Sequence, residues 1–246
     1  MADDIPQSHP RYRSLLARRL LTEAAADGLL AESALIAHGR GEAFDYLLGE
    51  RTIASARQAI DESAARLLTA ESPVLSVNGN TVALAADQML SCAAVLDCPI
   101  EVNIYYRTPE RMIALLKRLE ERRQAVMQSG PPNGWSEGDG AWKAAVNAVP
   151  ILGENADGRI PGLEGPRAAC SGDGIIQADV VFVPLEDGDR CEALIAAGKQ
   201  VIVVDLNPLS RTAHTATVTI VDELTRVLEE LLPPPRILEL LPPPPR

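Results

Sequence analysis

The sequence predicts an α/β protein of the Rossmann-like class, with a largely parallel sheet, helices on both of its faces and a helical segment before the first strand. Short runs of consecutive apolar residues alternate with longer segments in which apolar residues recur every three or four positions. Strands that are apolar on consecutive residues are typical of parallel sheets buried on both faces. Strands that alternate with helices imply right-handed crossovers between parallel neighbours.

The N-terminal part of the chain is predicted to be helical. Residues 12–27 carry leucines at helical spacing, and Gly28 is placed to end this helix in a left-handed conformation. Residues 52–70 repeat the apolar spacing and lead directly into the first strand. These two segments form the helical entry to the sheet.

Strand and helix patterns alternate through the rest of the chain. The predicted strands are 74–77, 100–105, 180–184, 201–205 and 217–221, and the predicted helices are 82–96, 109–126, 190–197 and a final helix after the last strand. In open parallel sheets, ligands bind beyond the carboxyl ends of the strands. The residues that follow each strand are therefore the candidates for a functional site.

The domain organisation follows from the same patterns. Residues 1–232 are predicted to form a single α/β domain. Within it, residues 127–147 are rich in Gly and Pro, which predicts an inserted solvent loop. Residues 233–246 form a proline-rich tail, expected to be polyproline II, that is either a surface segment or a ligand for a proline-binding module.

Composition limits the classes of partner. The net charge of −11 repels polyanions, so we expect no nucleic-acid binding. The four cysteines lack zinc-site spacing and are interpreted as buried thiols of a cytoplasmic protein. No stretch approaches the roughly 18 apolar residues that a membrane span requires, so no membrane association is expected.

The first candidate for chemistry is a polar, glycine-punctuated segment at 37–46. Gly39 and Gly41 flank Arg40, so the backbone could approach a ligand closely while the guanidinium binds a phosphate in a bidentate manner. The alternative is an ordinary turn with a surface arginine. His38, taken alone, is typical of a structural residue.

The second candidate follows the first strand, at Ser76 to Asn80. Free backbone amides at the start of a helix, with the carboxamides of Asn78 and Asn80, could surround a phosphate or an oxyanion. The alternative is a turn that uses Asn and Gly only for their backbone tolerance.

Two further polar segments follow predicted strands. After 201–205, Asp205 could bind a ribose hydroxyl or Mg²⁺ while Arg211 binds phosphates. The acidic run Glu186, Asp187 and Asp189 could help to bind a divalent cation, or could be a solvated turn that caps a helix.

Standard nucleotide-binding fingerprints are missing from the sequence. It contains neither GxxxxGK followed by Ser or Thr, nor GxGxxG after a strand. Composition and apolar spacing therefore predict only a parallel α/β protein with a polar, arginine-rich rim at the strand ends.

Several longer blocks together resemble the archaeal phosphopantothenate synthetases, also called 4-phosphopantoate–β-alanine ligases. The resemblance is collinear from residue 5 to residue 221 and is interrupted mainly by the expected insertion. The blocks are IPQSHPRYRSLLAR, LIAHGRGEAFDYLLGERTI, PVLSVNGN, VNIYYRTPER, RIPGLEGPR, ADVVFVPLEDGDR and VIVVDLNPLSRTA.

This resemblance implies a homodimeric cytoplasmic enzyme of coenzyme A biosynthesis. Such an enzyme uses ATP, with Mg²⁺ expected, to condense 4-phosphopantoate with β-alanine, giving 4′-phosphopantothenate, AMP and pyrophosphate through an acyl-adenylate. Two alternatives remain at this point: a nucleotide-dependent oxidoreductase on the same type of sheet, and a non-catalytic nucleotide-binding protein.

The resemblance also implies site residues. The implied ATP contacts are Arg18, Arg40, Asp205, Leu206, Asn207, Arg211, Thr212, Glu223 and Leu224. Glu223 departs from the asparagine usual in the family, and a carboxylate cannot donate as an amide does. For the two other substrates, the chemistry of the donors favours Asn78, Asn80, Arg107 and Arg159, with His9 and Arg11 as further candidates. Metal ligands are not predicted.

Overall fold

The computed structural model describes residues 5–231, which contain one six-stranded parallel sheet and a separate antiparallel pair. The strands are β1 Pro73–Val77, β2 Ile100–Val102, β3 Ile151–Leu152, β4 Gly158–Arg159, β5 Ala169–Cys170, β6 Val180–Pro184, β7 Gln200–Val204 and β8 Val218–Ile220. The helices are α1 Tyr12–Ala26, α2 Glu32–Leu48, α3 Ala54–Thr69, α4 Gly79–Leu96, α5 Pro109–Ser129, α6 Gly138–Ala148, α7 Gly188–Ala196, α8 Arg211–Thr215 and α9 Leu224–Leu231.

The strand order places a topological switch at the centre of the sheet. The order is β3-β2-β1-β6-β7-β8, so the chain runs outward from β1 in one direction and later returns to the other side of β1. Leu75 of β1 pairs with Ile100 on one side and with Phe182 on the other. The crevice between the carboxyl ends of β1 and β6 is therefore the expected ligand site of this fold.

Side chains alternate between the two faces of the sheet. Leu75 and Val77 join the large apolar cluster formed with α1, α3, α4, α5, α6 and α9. Val74, Val181 and Val183 point to the opposite face, which is covered by α7 and by the segment between β4 and β6. The prediction of a Rossmann-like parallel sheet with helices on both faces is thus confirmed.

Most predicted elements occur within a few residues of their expected bounds, and the N-terminal helical segment is confirmed. Strand β6 has the predicted bounds. Helix α4 begins three residues before its predicted start, because Asn78 caps it and accepts a hydrogen bond from the backbone N–H of Thr81. Strand β2 ends at Val102 instead of continuing to residue 105.

The glycine-punctuated segment at 37–46 is helical, so the alternative of an ordinary turn is wrong. Helix α2 passes through both glycines without interruption. A β-carbon on Gly41 would lie 3.3 Å from the β-carbon of Leu206. The absence of a side chain at Gly41 thus lets the helix pack closely against the loop after β7.

The prediction of a solvent loop over 127–147 is also wrong. Helix α5 continues to Ser129, and α6 occupies Gly138–Ala148. Trp142 is 1% exposed and Val146 is buried in the main apolar cluster. Gly and Pro at 130–134 separate two core helices, and their composition concealed the helical spacing of Trp142 and Val146.

Within residues 5–231, no helix is long and apolar enough to cross a membrane. The proline-rich tail predicted at 233–246 lies outside the described residues. The assignment of 1–232 to a single domain stays a prediction.

Candidate active site

A cleft of about 860 Å³ lies at the carboxyl ends of the central strands. Its walls come from the loops after β1, β2, β6 and β7, from α2, and from the segment between β4 and β5. The cleft therefore occupies the switch point where ligands bind in this class of fold.

Two helices begin at this cleft. Helix α4 follows β1 and starts at Gly79, and α7 follows β6 and starts at Gly188; both glycines line the cleft. The unpaired N–H groups and the dipole of a helix N-terminus favour anions. A β-carbon on Gly79 would lie 2.6 Å from the carbonyl oxygen of Leu29, so glycine is required for this approach of α4 to the chain after α1.

Asn78 connects the two sides of the switch point. Its Nδ2 donates to the carbonyl oxygens of Pro184 (3.2 Å) and Leu185 (3.0 Å), and its Oδ1 accepts from Thr81. Leu185 has a left-handed φ of 57°, which is unfavourable for a residue with a side chain. The amide of Asn78 thus positions the start of the β6–α7 loop.

A buried charged network lies under the floor of the cleft. Glu186, whose side chain is fully buried, forms ion pairs with Arg167 (2.7 Å) and with Arg190. Arg190 also donates to the hydroxyl of Ser76 at 3.1 Å. Arg190 is fully buried, and burial lowers its pKa. The network therefore joins β1, the β6–α7 loop and the segment that carries Arg167.

The Arg167 segment is fixed to the sheet by a second buried carboxylate. Glu101 of β2 accepts hydrogen bonds from the backbone N–H groups of Ser171 (3.0 Å) and Ile175 (2.8 Å). Burial raises the pKa of Glu101, and these hydrogen bonds oppose the rise. Asn103, just after β2, donates to the carbonyl oxygens of Arg167 and Ala169.

The loop after β7 is shaped by its own polar side chains. Asp205 accepts hydrogen bonds from the N–H of Asn207 (2.9 Å) and from the hydroxyl of Ser210. Asn207 in turn accepts from the N–H of Leu209 at 2.9 Å. Ser210 caps α8, and the hydroxyl of Thr212 donates to the carbonyl oxygen of Glu186 at 3.0 Å.

A smaller cavity of about 300 Å³ adjoins the cleft and shares His38 and Leu206 with it. His9, Arg11 and Glu223 line this cavity. Burial lowers the pKa of His38 from its ordinary value, although Glu42, Glu223 and Asp45 oppose this shift. His38 is therefore neutral near pH 7.

The structure brings seven of the predicted site residues to the main cleft. They are Arg40, Asn78, Asn80, Asp205, Leu206, Asn207 and Thr212. Glu223 lines the smaller cavity instead. Arg18 pairs with Glu42, which lines that same cavity.

Four other predicted residues lie away from the lining of both cavities. Arg211 is exposed and pairs with Asp189 and Glu192, although its side chain packs over Gly188 at the cleft rim. Leu224 is 2% exposed and belongs to the apolar core. Arg107 binds the carbonyl oxygens of Gly153 and Glu154. Arg159 is an exposed residue of β4.

The acidic run after β6 does not form a metal site in this arrangement. Glu186 and Asp187 are paired with Arg167, and Asp189 is paired with Arg211. Across residues 5–231, no group of three or more His, Cys, Asp or Glu side chains could hold a metal ion. Of the alternative, a solvated turn that caps a helix, only the position at the start of α7 agrees with the structure. Glu186 is buried, and Asp187 precedes α7 without a side-chain capping hydrogen bond.

Sequence reasoning missed Arg167, Arg190 and the aromatic pair at the rim. Tyr105 and Tyr106 line the cleft with ring centroids 5.0 Å apart. Arg167 was part of a block that carries the family resemblance, which was the one available signal. Arg167 lies 64 positions from Asn103 and 19 positions from Glu186 along the chain, and no local sequence pattern predicts contacts over such separations.

Comparisons with known proteins show which family this chain belongs to. The model of the phosphopantothenate/pantothenate synthetase family matches residues 55–134 and 141–239. A 4-phosphopantoate–beta-alanine ligase of Thermococcus onnurineus is 46% identical over 222 residues, which cover 90% of this chain and 76% of the relative. A protein of the same name from Thermococcus kodakarensis is 45% identical and covers 93% and 79%.

A third relative of this name, from Methanosarcina mazei, is 46% identical over 225 residues, covering 92% of this chain and 79% of its own. In the region of the expected insertion, the family match leaves out only residues 135–140. The match and these identities extend over most of the chain, including the cleft. The chain therefore belongs to the phosphopantothenate/pantothenate synthetase family.

Proposed function

We propose that this protein is an ATP-dependent ligase of coenzyme A biosynthesis. It condenses 4-phosphopantoate with β-alanine and forms 4′-phosphopantothenate, AMP and pyrophosphate. The observation that carries the proposal is the 44–46% identity, over about nine-tenths of the chain, to four proteins named as this ligase. This identity favours a ligase over the oxidoreductase and over a non-catalytic nucleotide-binding protein.

The chemistry explains what the cleft has to do. A carboxylate is a poor electrophile, so its oxygen first attacks the α-phosphorus of ATP while pyrophosphate leaves. The amine of β-alanine then attacks the acyl carbon, the bond from that carbon to the AMP oxygen breaks, and the nitrogen releases a proton as AMP leaves. Both steps bring anions together, so positioning and positive electrostatic potential are the main requirements. The N-termini of α4 and α7 and the arginines of the cleft supply that potential.

We assign ATP to the side of the cleft formed by α2, the β7–α8 loop and the adjoining cavity. This side carries Arg40, Asp205, Asn207 and Thr212, and Glu223 lies in the adjoining cavity. The side formed by the ends of β1 and β2 then receives 4-phosphopantoate and β-alanine. Asn80 lines that side, and the one side-chain hydrogen bond that it makes among residues 5–231 is long, at 3.5 Å to the carbonyl oxygen of Ala34.

We propose that Mg²⁺ enters with ATP. Mg²⁺ commonly binds through substrate phosphates and one or two carboxylates, so a protein cage of three carboxylates is not needed. Asp187 fits this role because it lines the cleft and its side chain is 58% exposed. When bound, the ion neutralises charge on the phosphates.

We propose a homodimer as the functional form. Ile36, Tyr46 and Leu47 of α2 are 69%, 62% and 80% exposed, and such exposed apolar groups favour an interface. Light scattering coupled to gel filtration should give twice the chain mass, and Leu47→Arg should shift it toward the monomer. A monomeric wild-type protein would refute this assignment.

We propose the cytoplasm as its location. All four cysteines are buried and unpaired, which agrees with a reducing compartment. Fractionation of the source cells, followed by immunodetection against markers of the cytoplasm and of the membrane, tests the location.

The ligase reaction is tested directly with purified protein, ATP, Mg²⁺, 4-phosphopantoate and β-alanine. Mass spectrometry should detect 4′-phosphopantothenate, with AMP and pyrophosphate in equal amounts. Omission of 4-phosphopantoate should abolish AMP release. Stoichiometric ADP and orthophosphate would refute the adenylate mechanism, and the absence of any product would refute the ligase assignment.

A further inference from the structure

Arg167 is a buried arginine that lines the cleft, and one of its nitrogens has no hydrogen-bond partner among the described residues. Its Nε donates to Oδ1 of Asn103 (3.1 Å), and its Nη1 lies 2.7 Å from both Glu186 Oε1 and Asp187 Oδ2. Its Nη2 is buried and has no hydrogen-bond partner among residues 5–231. Arg167 lines the cleft although its side chain is only 8% exposed.

A buried, charged donor such as Nη2 is stabilised by an anionic partner. A buried donor without a partner costs stability, and the cost is larger for a charged group. The contacts of Nε and Nη1 with Asn103, Glu186 and Asp187 fix the plane of the guanidinium, so Nη2 cannot turn away. A fixed guanidinium binds carboxylate and phosphate oxygens strongly and with defined geometry.

The position of Arg167 in the cleft indicates which substrate it binds. Its partners follow β2 (Asn103) and β6 (Glu186), the strands on either side of β1, so the guanidinium lies on the side assigned to 4-phosphopantoate, near its boundary with the ATP side. The acid substrate and the α-phosphate of ATP must meet at that boundary. Two anions can approach to bonding distance there only if a cation offsets their repulsion.

We infer, on the basis of the proposed function, that Nη2 of Arg167 binds the carboxylate of 4-phosphopantoate and orients it toward ATP. One carboxylate oxygen stays on Nη2 while the other forms the bond to the α-phosphorus, and the bond from that phosphorus to the departing pyrophosphate breaks. No proton moves in this step. Glu186 acts as a positioning residue, because it holds Arg167 and Arg190 on its two oxygens.

The test compares Arg167→Gln and Arg167→Lys with wild-type enzyme. Loss of the charged hydrogen bond should raise the KM for 4-phosphopantoate by about 10-fold to 100-fold. The KM for ATP should change by less than about threefold, since Arg40, Asp205, Asn207 and Thr212, the side chains assigned to ATP, form no hydrogen bond or ion pair with Arg167. Arg167→Lys should recover part of the loss, because an ammonium keeps the charge but lacks the second nitrogen.

Arg123→Gln is the matched structural control. The Arg123 side chain is 12% exposed and binds the carbonyl oxygens of Asn147 and Val149, far from the cleft lining. This variant should lower the unfolding midpoint and leave both KM values near wild type. If Arg167→Gln does not fold, Arg167→Lys decides the question, and a wild-type KM for 4-phosphopantoate in that variant overturns the inference.

Pantoate separates the two anionic groups of the substrate. Because pantoate keeps the carboxylate but lacks the phosphate, its inhibition constant should rise in Arg167→Gln by the same factor as the KM for 4-phosphopantoate. A rise for 4-phosphopantoate alone would assign Nη2 to the phosphate and overturn the carboxylate assignment. If the wild-type enzyme is active and a folded Arg167 variant has an unchanged KM for 4-phosphopantoate, only this inference is overturned. If the wild-type protein itself shows no turnover, the ligase function is refuted.

Discussion

Arginine–carboxylate pairs occur both beneath the cleft and along its outer rim, in very different surroundings. The side chains of Glu186 and Arg190 are 0% and 1% exposed, whereas those of Arg211 and Asp189 are 59% and 69% exposed. The four residues belong to two short polar segments that follow neighbouring strands. Burial alone distinguishes a fixed scaffold from a surface pair.

This difference in burial implies different roles for the buried pairs and for the exposed pairs. Buried ions that lose a partner are strongly destabilised, so the pairs of Glu186 hold one geometry. Exposed pairs such as Arg211–Asp189 contribute little and are screened by salt. An exposed arginine can therefore exchange its carboxylate for a phosphate at small cost. We expect substitutions of Glu186 and Arg190 to act mainly on stability and those of exposed rim arginines to act on ATP.

The largest expected effect is that of Glu186→Ala. Removing this carboxylate leaves Arg167 and Arg190 buried without their shared counter-ion, which should lower the free energy of unfolding by about 3–5 kcal/mol. Urea denaturation followed by circular dichroism measures this change. Asp189→Ala, in the exposed pair with Arg211, is the control and should leave the midpoint nearly unchanged. Equal shifts in the two variants would contradict the distinction between buried and exposed pairs.

A second comparison uses the two asparagines that flank Gly79. Asn78→Ala should lower the free energy of unfolding by about 1–3 kcal/mol, because partly buried polar groups of Pro184, Leu185 and Thr81 lose their partner. Asn80→Ala should cost less, since its hydrogen bond is long. It should instead raise the KM for 4-phosphopantoate. A larger loss of stability in Asn80→Ala than in Asn78→Ala, measured with urea, would reverse these two roles.

The sequence was sufficient for five of the six strands of the sheet, because these strands are short, apolar and bounded by turn residues. The two-residue strand β3, Ile151–Leu152, was not predicted. Val180–Pro184 is apolar throughout and is followed by an acidic turn, so its bounds were predicted without error. The same local reasoning failed at α2 and α6, where glycines indicate loops. At Gly41 the glycine serves packing against Leu206, a contact between residues 165 positions apart in the chain.

Residues that line the cleft were predictable at strand ends and, through the family resemblance, at Arg40 on α2. Asn78 and Asp205 follow strands, and a general property of parallel sheets located them at the cleft. The buried position of Arg167 depends on Glu101 and Asn103, which fix its segment to β2. A charged residue is ordinarily expected at the surface, so its burial could not be inferred without the fold.

At the rim, Arg40→Ala should raise the KM for ATP by about 10-fold to 100-fold through loss of a charge-assisted hydrogen bond to phosphate. Its effect on stability should be small, because Arg40 is exposed on α2. Arg40→Lys should recover part of the ATP affinity. Arg51→Ala, an exposed arginine outside both cavities, is the control and should behave like wild type. An unchanged KM for ATP in Arg40→Ala would remove this residue from the nucleotide site.

The smallest expected effect is a pH-dependent change in stability caused by His38, which lines both cavities. Burial lowers its folded pKa below the ordinary 6.5, against the opposing influence of Glu42 and Glu223. As the pH falls below about 6.5, the unfolded chain therefore takes up a proton that the folded protein does not, so wild type loses stability relative to His38→Gln. This loss is complete below the lowered folded pKa, and it vanishes above neutral pH, where His38 is uncharged in both forms. Urea unfolding of both proteins from pH 8 to pH 5 measures the difference. Parallel stability profiles, or a relative gain of wild type at low pH, would show that His38 titrates without this penalty.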